Sequence, residues 1–353
     1  MIRPSFSCAC VALSLLSLVG CKRGGEEKLQ EKASANTATE KSAPQQQAAE
    51  SADPGVQPAS HTEALAGSDP KAQCSPGCSS LERCVNDDKG ASKCEPACPE
   101  GTVFIPPTGP KGFEMGHGAP GSDDQKHTVI LTKPFCMDAT EVTVAAYKKC
   151  VEGGKCSVPQ LRDINANYRS EYDRANHPVN MVNYKQAKAY CEAQGQSLPT
   201  EAQWEYVASH GEGRLYPWGN SPDPTCENGY ADFTPGGSPH SDPAGDVGCH
   251  GGGSSEVKAH PNGKASYPDG DIYDLGGNVW EWTRDCYVPY PRGTVTDPAP
   301  EAHPNLKGSC YVYSLRGGGW NRSRFSMHTF SRAASKWTYR VPGLGFRCVK
   351  NAD

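Results

Sequence analysis

Two stretches of the chain repeat apolar residues at helical spacing behind a residue suited to open a helix. Asn183 starts a run to Gln194 in which Tyr184, Ala187 and Cys191 share a face, with Gln186 three positions after the asparagine. Thr200 starts another, with Gln203 as its partner and Trp204, Val207 and Ala208 turned inward. Each opening side chain can accept from the third backbone amide while the glutamine reaches back, so both predict capped helices. GTVFIP, from Gly101, predicts a strand, and HTVILTKPFCMDATEV a second strand leading into a helix capped by Thr143. From Gly211 to Ser314 the chain is rich in Gly, Pro, Asp and Asn and predicts long irregular loops. No internal repeat is visible.

The pattern at the start of the chain is of another kind. One cation, Arg3, precedes an apolar run from Ala9 to Val19 and then Cys21. The run is too short to cross a bilayer as a mature helix, and residues 1–20 read as a secretory signal. LVGC, Leu18 to Cys21, resembles the lipobox of bacterial lipoproteins, which makes Cys21 the expected lipidation site and the membrane a partner through a lipid anchor. Lys22 behind it implies, by the same resemblance, retention at the bacterial outer membrane. Residues 22–73 hold no aromatic residue and no cysteine, so with Cys21 they are expected to form a disordered tether.

Composition narrows the rest. The 353 residues allow one large domain with accessories, and 38 Gly and 30 Pro against 36% hydrophobic residues argue against a helical bundle. A net charge of -5 supplies no basic field for a phosphate backbone, which excludes nucleic acid as a partner. Seventeen cysteines in an exported chain imply disulfides. Setting aside Cys8, Cys10 and Cys21 leaves an even number. Cys74, Cys78, Cys84, Cys94 and Cys98 mark a mini-module over 74–100, too short for a core of its own. Zinc is the competing reading there, but the module has no CxxC pair and no nearby histidine. The domain beyond, 101–353, also holds an odd number of cysteines, so full pairing requires a bridge between module and domain.

Seven blocks then follow in order: MDATEVTVAAY, HPVNMVNYKQAKAYCEAQG, SLPTEAQWEYVASHG, YPWGN, IYDLGGNVWEW, LRGGGW and GLGFRCV. Together they resemble the formylglycine-generating enzyme, or sulfatase-modifying-factor, family over roughly residues 101–350. The resemblance implies an α+β, C-type-lectin-like fold with little regular secondary structure and many disulfides. Its working members oxidise a client sulfatase cysteine with copper bound by two cysteines. Laid over RGGGWNRSRFSM, those positions are Arg322 and Met327, the turn serine is Gly319, and a tyrosine is Ser326. Copper(I) wants soft anionic thiolates. Met327 offers a neutral thioether and Arg322 a permanent cation, so copper is not expected and the loop reads as a catalytic loop without its chemistry.

The resemblance also implies the bridge Cys191–Cys348. Around it the expected set is Cys150–Cys156, Cys226–Cys249 and Cys286–Cys310 as local loops, Cys98–Cys136 as the cross-bridge, and Cys74–Cys84 with Cys78–Cys94. It further implies structural calcium at Asp274, Gly277, Val279 and Glu281, the glycine and valine giving carbonyls, and a second site beginning at Asn228 and Gly229. Carboxylates mixed with carbonyls on glycine turns suit calcium. Arg322, Arg324 and Arg332 would make the family groove cationic, fit for an acidic peptide or anionic glycan. His240, His250 and His260, in Gly- and Pro-rich loops, read as surface histidines. Trp337 stands outside the strongest blocks and is a candidate pocket wall. The expectation is a lipid-anchored envelope protein with a non-catalytic binding or assembly domain. The alternatives are an active formylglycine-generating oxidase and a structural subunit of a secretion or motility complex.

Overall fold

The computed structural model describes residues 77–79, 81–86, 92–118, 124–235, 248–300 and 310–352. The signal segment, Cys21, the tether, Cys74 and His240 lie outside the described residues. The first elements are an antiparallel pair, β1 (Glu82–Asn86) and β2 (Ser92–Pro96). A two-stranded ribbon is marginal alone; here Cys78–Cys94 staples it and Cys98–Cys136 ties it to the domain.

Strand β3 (Thr102–Ile105) is the GTVFIP segment, with Val103 and Ile105 turned into the core. After β4 (Phe113–Met115), the segment expected as one strand forms two, β5 (His127–Ile130) and β6 (Phe135–Asp138). The break falls before Pro134, which has no amide hydrogen for a ladder, and the Thr132 amide turns to Asp297 Oδ1 at 2.8 Å. Helix α1 (Val144–Glu152) is capped by Thr143. Helices α2 (Tyr184–Ala193) and α3 (Glu201–Ser209) both carry complete capping boxes, Asn183 with Gln186 and Thr200 with Gln203. Their apolar faces are buried as the spacing requires.

The remaining strands are β7 (Ala265–Tyr267), β8 (Gly270–Ile272), β9 (Trp280–Cys286), β10 (Thr294–Thr296), β11 (Val312–Arg316), β12 (Arg332–Lys336), β13 (Leu344–Gly345) and β14 (Val349–Asn351). The largest sheet runs β12–β11–β9–β13, with β13 parallel to β9; β14–β6–β3 and β10–β5–β4 form two three-stranded sheets. Several strands therefore fall within 211–314, where loops were expected. Strand β9 escaped notice because WEWTRDC is buried on both faces, and a strand with two buried faces shows no alternation.

One core cluster gathers Ile105, Phe135, Val207 and Ile272 around Trp204. A second gathers Tyr147, Tyr190 and Phe346 around Trp282 and contains the buried Cys191–Cys348 bridge, and a small third joins Ala231, Phe233 and Met327. Cys150–Cys156, Cys226–Cys249 and Cys286–Cys310 are also joined. Cys84 is disulfide-bonded too, and its expected partner Cys74 lies outside the described residues.

Candidate functional site

Strand β11 ends at Arg316 and runs into Gly317, Gly318 and Gly319. Two hydrogen bonds lash this turn to the one before β9: Gly277 N–H donates to Gly317 O at 2.8 Å, and Trp320 N–H to Asn278 O at 2.7 Å. The chain then passes Arg322 and closes in a short 3-10 turn, Arg324–Met327. Met327 is wholly buried, packed with Ala231 and Phe233. It sits between the two turns. A Cβ on Gly277 would lie 3.1 Å from its sulfur and 2.4 Å from the Asp232 carbonyl oxygen, and a Cβ on Gly318 would lie 3.1 Å from its Cγ. Both glycines hold positive φ, 91° and 78°, so space and backbone conformation together require glycine.

Arg322 is half-buried. Its amide donates to Gly319 O and its carbonyl accepts from Thr234 N–H, both at 2.8 Å. Burial pushes its guanidinium below the usual pKa, against a pull from Tyr339. Ser326 donates its amide to Ser323 O at 3.0 Å. Beside the loop a cavity of about 400 Å³ is walled by Cys226, Phe233, Arg324 and Phe325. Arg324 pairs at 3.0 Å with Asp223, both side chains exposed.

The three arginines do not form one cationic groove. Arg332 has a 4% exposed side chain; its Nε and Nη2 donate to the two Glu201 oxygens at 2.9 and 2.8 Å. Its guanidinium also stacks over Tyr290 and Tyr287, 3.9 and 4.3 Å from the ring centroids. A buried guanidinium needs a paired carboxylate, and β12 delivers Arg332 to the start of α3. Arg316 behaves alike, bonded to Glu205, with its Nε 3.5 Å from Glu201. Burial would raise the Glu201 pKa, but Arg332 and Arg316 hold it below the usual carboxylate value.

The turn from Asp274 to Glu281 is acidic and buried. Asp274, at φ 60°, accepts from Lys258 N–H at 2.8 Å. Glu281 is fully buried; both of its oxygens accept from Arg347, at 2.7 to 2.9 Å, and Oε2 also accepts from Trp204 Nε1 at 2.9 Å. Burial lowers the Arg347 pKa, but the Glu281 carboxylate outweighs it and holds the guanidinium above its usual value. Glu141 accepts from Asn278 Nδ2 at 2.9 Å and from Val279 N–H at 3.3 Å. Asp232 accepts from Ser255 Oγ at 2.8 Å, while its buried Oδ1 has no hydrogen-bond partner. Three buried carboxylates, Asp274, Glu141 and Glu281, thus gather near one guanidinium, with Asp232 beside Asp274.

That charge excess and the hard oxygen donors fit calcium, but Glu281 departs from the expected set because Arg347 and Trp204 engage it. Among the described residues no three His, Cys, Asp or Glu side chains converge as a metal-ligating group; two of the four expected ligands are backbone carbonyls. At the second expected site, Asn228 Oδ1 accepts from Thr225 N–H, closing its own turn, and its carbonyl accepts from Asn262 Nδ2, both at 3.0 Å. The contiguous segment that would follow Gly229 in that site runs through 236–247, outside the described residues.

His260 is not a surface histidine. It is 6% exposed, stacks on His250 at 5.3 Å, and lies with Nε2 3.4 Å from Ser255 Oγ; burial, reinforced by His250, pushes its pKa down to about 4. Sequence reasoning also missed Glu141, Glu201, Glu205, Arg316 and Arg347. The available signal was a charge lodged inside an otherwise apolar block, as in WEW and GFRCV.

The family described as "Sulfatase-modifying factor enzyme 1-like domain" matches residues 90–352. The chain belongs to it. Formylglycine-generating enzyme from Streptomyces coelicolor is 33% identical over 298 residues, covering 69% of this chain and 86% of that protein. Inactive C-alpha-formylglycine-generating enzyme 2 from Bos taurus is 34% identical over 183 residues, 51% of this chain and 52% of that protein. The chain spans about half the length of several curated relatives it matches. PvdO from Pseudomonas aeruginosa shares the fold, with a TM-score of 0.51 and 22% identity over 76% of this chain and 97% of that one. The sulfatase-modifying factor domain here is the α+β, disulfide-rich, lectin-like form of that fold.

Proposed function

We propose that the chain is a lipid-anchored envelope protein whose sulfatase-modifying factor domain binds a partner instead of oxidising one. Met327 carries the reading. It occupies the position of a copper-binding cysteine and is wholly buried against Ala231 and Phe233, a thioether sealed into packing. The other position, Arg322, brings a cation where the metal would sit. All nine cysteines of 101–353 are in disulfides, which leaves no thiolate to take their place. A relative bearing the word inactive in its name is in keeping with this.

The binding face is the cavity beside the loop, where Arg324 and the 37% exposed Phe325 stand at the surface. The apolar wall of Phe233 and Phe325, with Arg324 paired to Asp223 and Glu227 in the lining, suits a protein or peptide segment whose acidic group competes for Arg324. Calcium would be held by Asp274 and the carbonyls of Gly277 and Val279, with Glu281 sharing its oxygens with Arg347. Bound there, it would neutralise buried carboxylates and fix the turn.

Thiol titration of the folded, exported protein, with cuprous-ion binding measured alongside, tests the reading. The expected result is no reactive thiol and no tight copper uptake. Two reactive thiols with stoichiometric cuprous binding would restore the oxidase. For the anchor, Cys21→Ser should move the protein from the membrane to the soluble fraction, and retention in the membrane would remove lipidation from the account.

A further inference from the structure

A second cavity, of about 620 Å³, opens between α2, β9 and β11, with Trp337 just past the end of β12, and shares no residue with the loop at 316–327. Its size falls in the range of about 300–1,000 Å³ usual for small-molecule sites. One wall is aromatic. Tyr184 and Tyr313 stack with ring centroids 3.5 Å apart, and Trp337 lies beside them. The wall is fixed by the fold: Tyr184 N–H donates to Trp337 O at 3.2 Å, Trp337 N–H to Tyr311 O at 3.1 Å, and Tyr184 meets the buried Trp282 edge-on at 5.9 Å.

The lining also carries charge, with cations outnumbering acids. Lys185, Lys188 and Arg284 stand there against one acid, Glu192, which pairs with Lys188. Lys185 holds its ammonium 4.2 Å from the Trp337 ring centroid, so cation and aromatic face form one unit. Just outside, Tyr311 is 48% exposed with the Lys336 ammonium 5.6 Å from its ring. Aromatic and basic groups therefore continue from the cavity onto the surface.

We infer that this cavity binds an acidic saccharide, a sugar bearing a carboxylate, sulfate or phosphate. A pyranose ring offers an apolar C–H side to the Trp337 and Tyr313 wall and a hydroxyl to Ser197, while its anionic group meets the Lys185 ammonium. A volume of about 620 Å³ suits one or two rings. The chemistry is the same whether the sugar is free or is the head of a glycolipid.

The test is calorimetric titration of the full exported protein with a glucuronic-acid disaccharide and with a neutral disaccharide of the same linkage. The acidic sugar is expected to bind and to weaken with salt, with the neutral one at least about ten-fold weaker. Trp337→Ala should weaken binding about ten-fold while Trp337→Phe retains most of it. The double variant Lys185→Gln, Lys188→Gln should abolish the preference for acid. Should Trp337→Ala fail to fold, the lysine pair alone decides. Vesicles carrying an acidic glycolipid, compared with the free disaccharide, separate the sources: binding to either supports the site and names its ligand. Equal binding of neutral and acidic sugars, binding of neither sugar nor glycolipid, or displacement by an acidic peptide of greater affinity would overturn the assignment. Each of these readouts is independent of the thiol and copper experiment.

Discussion

Two turns meet at the centre of this domain, and they are made of the same materials. Asp274–Glu281 and Arg316–Trp320 each run through consecutive glycines to a tryptophan, and backbone hydrogen bonds join them directly. The first closes around oxygen: Asp274, Glu141 and Glu281 gather about Arg347, with Asp232 beside Asp274. The second closes around Met327, an uncharged thioether clasped between Gly277 and Gly318. Both turns need glycine where they approach each other, and they differ in what they enclose: paired charge in one, an apolar thioether in the other.

The largest effect is expected on the acidic side. Glu281→Ala strands Arg347 in the core and should cost about 3–5 kcal/mol in urea unfolding, with the double variant Glu281→Gln, Arg347→Met recovering much of it. A loss below about 1 kcal/mol would mean that water already reaches Arg347. On the other side, Met327→Ala should cost about 3 kcal/mol through the cavity it leaves, by the same measurement. If that loss is negligible, the thioether is not a packing element and the second turn is open.

A pH series sharpens the contrast at smaller amplitude. His260 is neutral in the fold with its pKa pushed down to about 4 by burial, against 6.5 when unfolded. The unfolded chain takes up the proton first, so stability falls as pH drops from 6.5 toward 4. His260→Gln should flatten that limb in thermal melts taken across the window. Asp138 acts with the opposite sign: burial raises it from 3.8 to about 6, so its contribution is present below 3.8 and lost as pH rises through 6. Asp138→Asn should remove that loss, and identical pH profiles for the two variants would contradict both assignments. The smallest effect belongs to the surface. Arg324→Ala breaks an exposed pair with Asp223 and should change stability by less than about 1 kcal/mol, while weakening any acidic peptide at the loop cavity.

The legibility of these features in the sequence follows the reach of the interactions. The helix caps at Thr143, Asn183 and Thr200 are contacts across three residues, and their patterns could be read directly. The placing of Arg322 and Met327 at the family's copper positions rests on the resemblance of the turn and belongs to the proposed function. The burial of Arg332 was not legible, because its partner Glu201 lies 131 residues away, and nothing local distinguishes a buried arginine from the exposed Arg324. His260 was misread for the same reason: its Gly- and Pro-rich surroundings describe a loop, and loops usually lie at the surface.

From residue type and short spacing alone came the capped helices at Thr143, Asn183 and Thr200 and the glycine turns. Only the tertiary structure decided which charges are paired. It buried Arg316, Arg332 and Arg347 against distant carboxylates, left Arg324 at the surface, and folded Trp337 back against Tyr184 to wall a cavity. Burial of a charge is tolerable only where a partner waits, and that partner is supplied by the fold rather than by the neighbouring sequence.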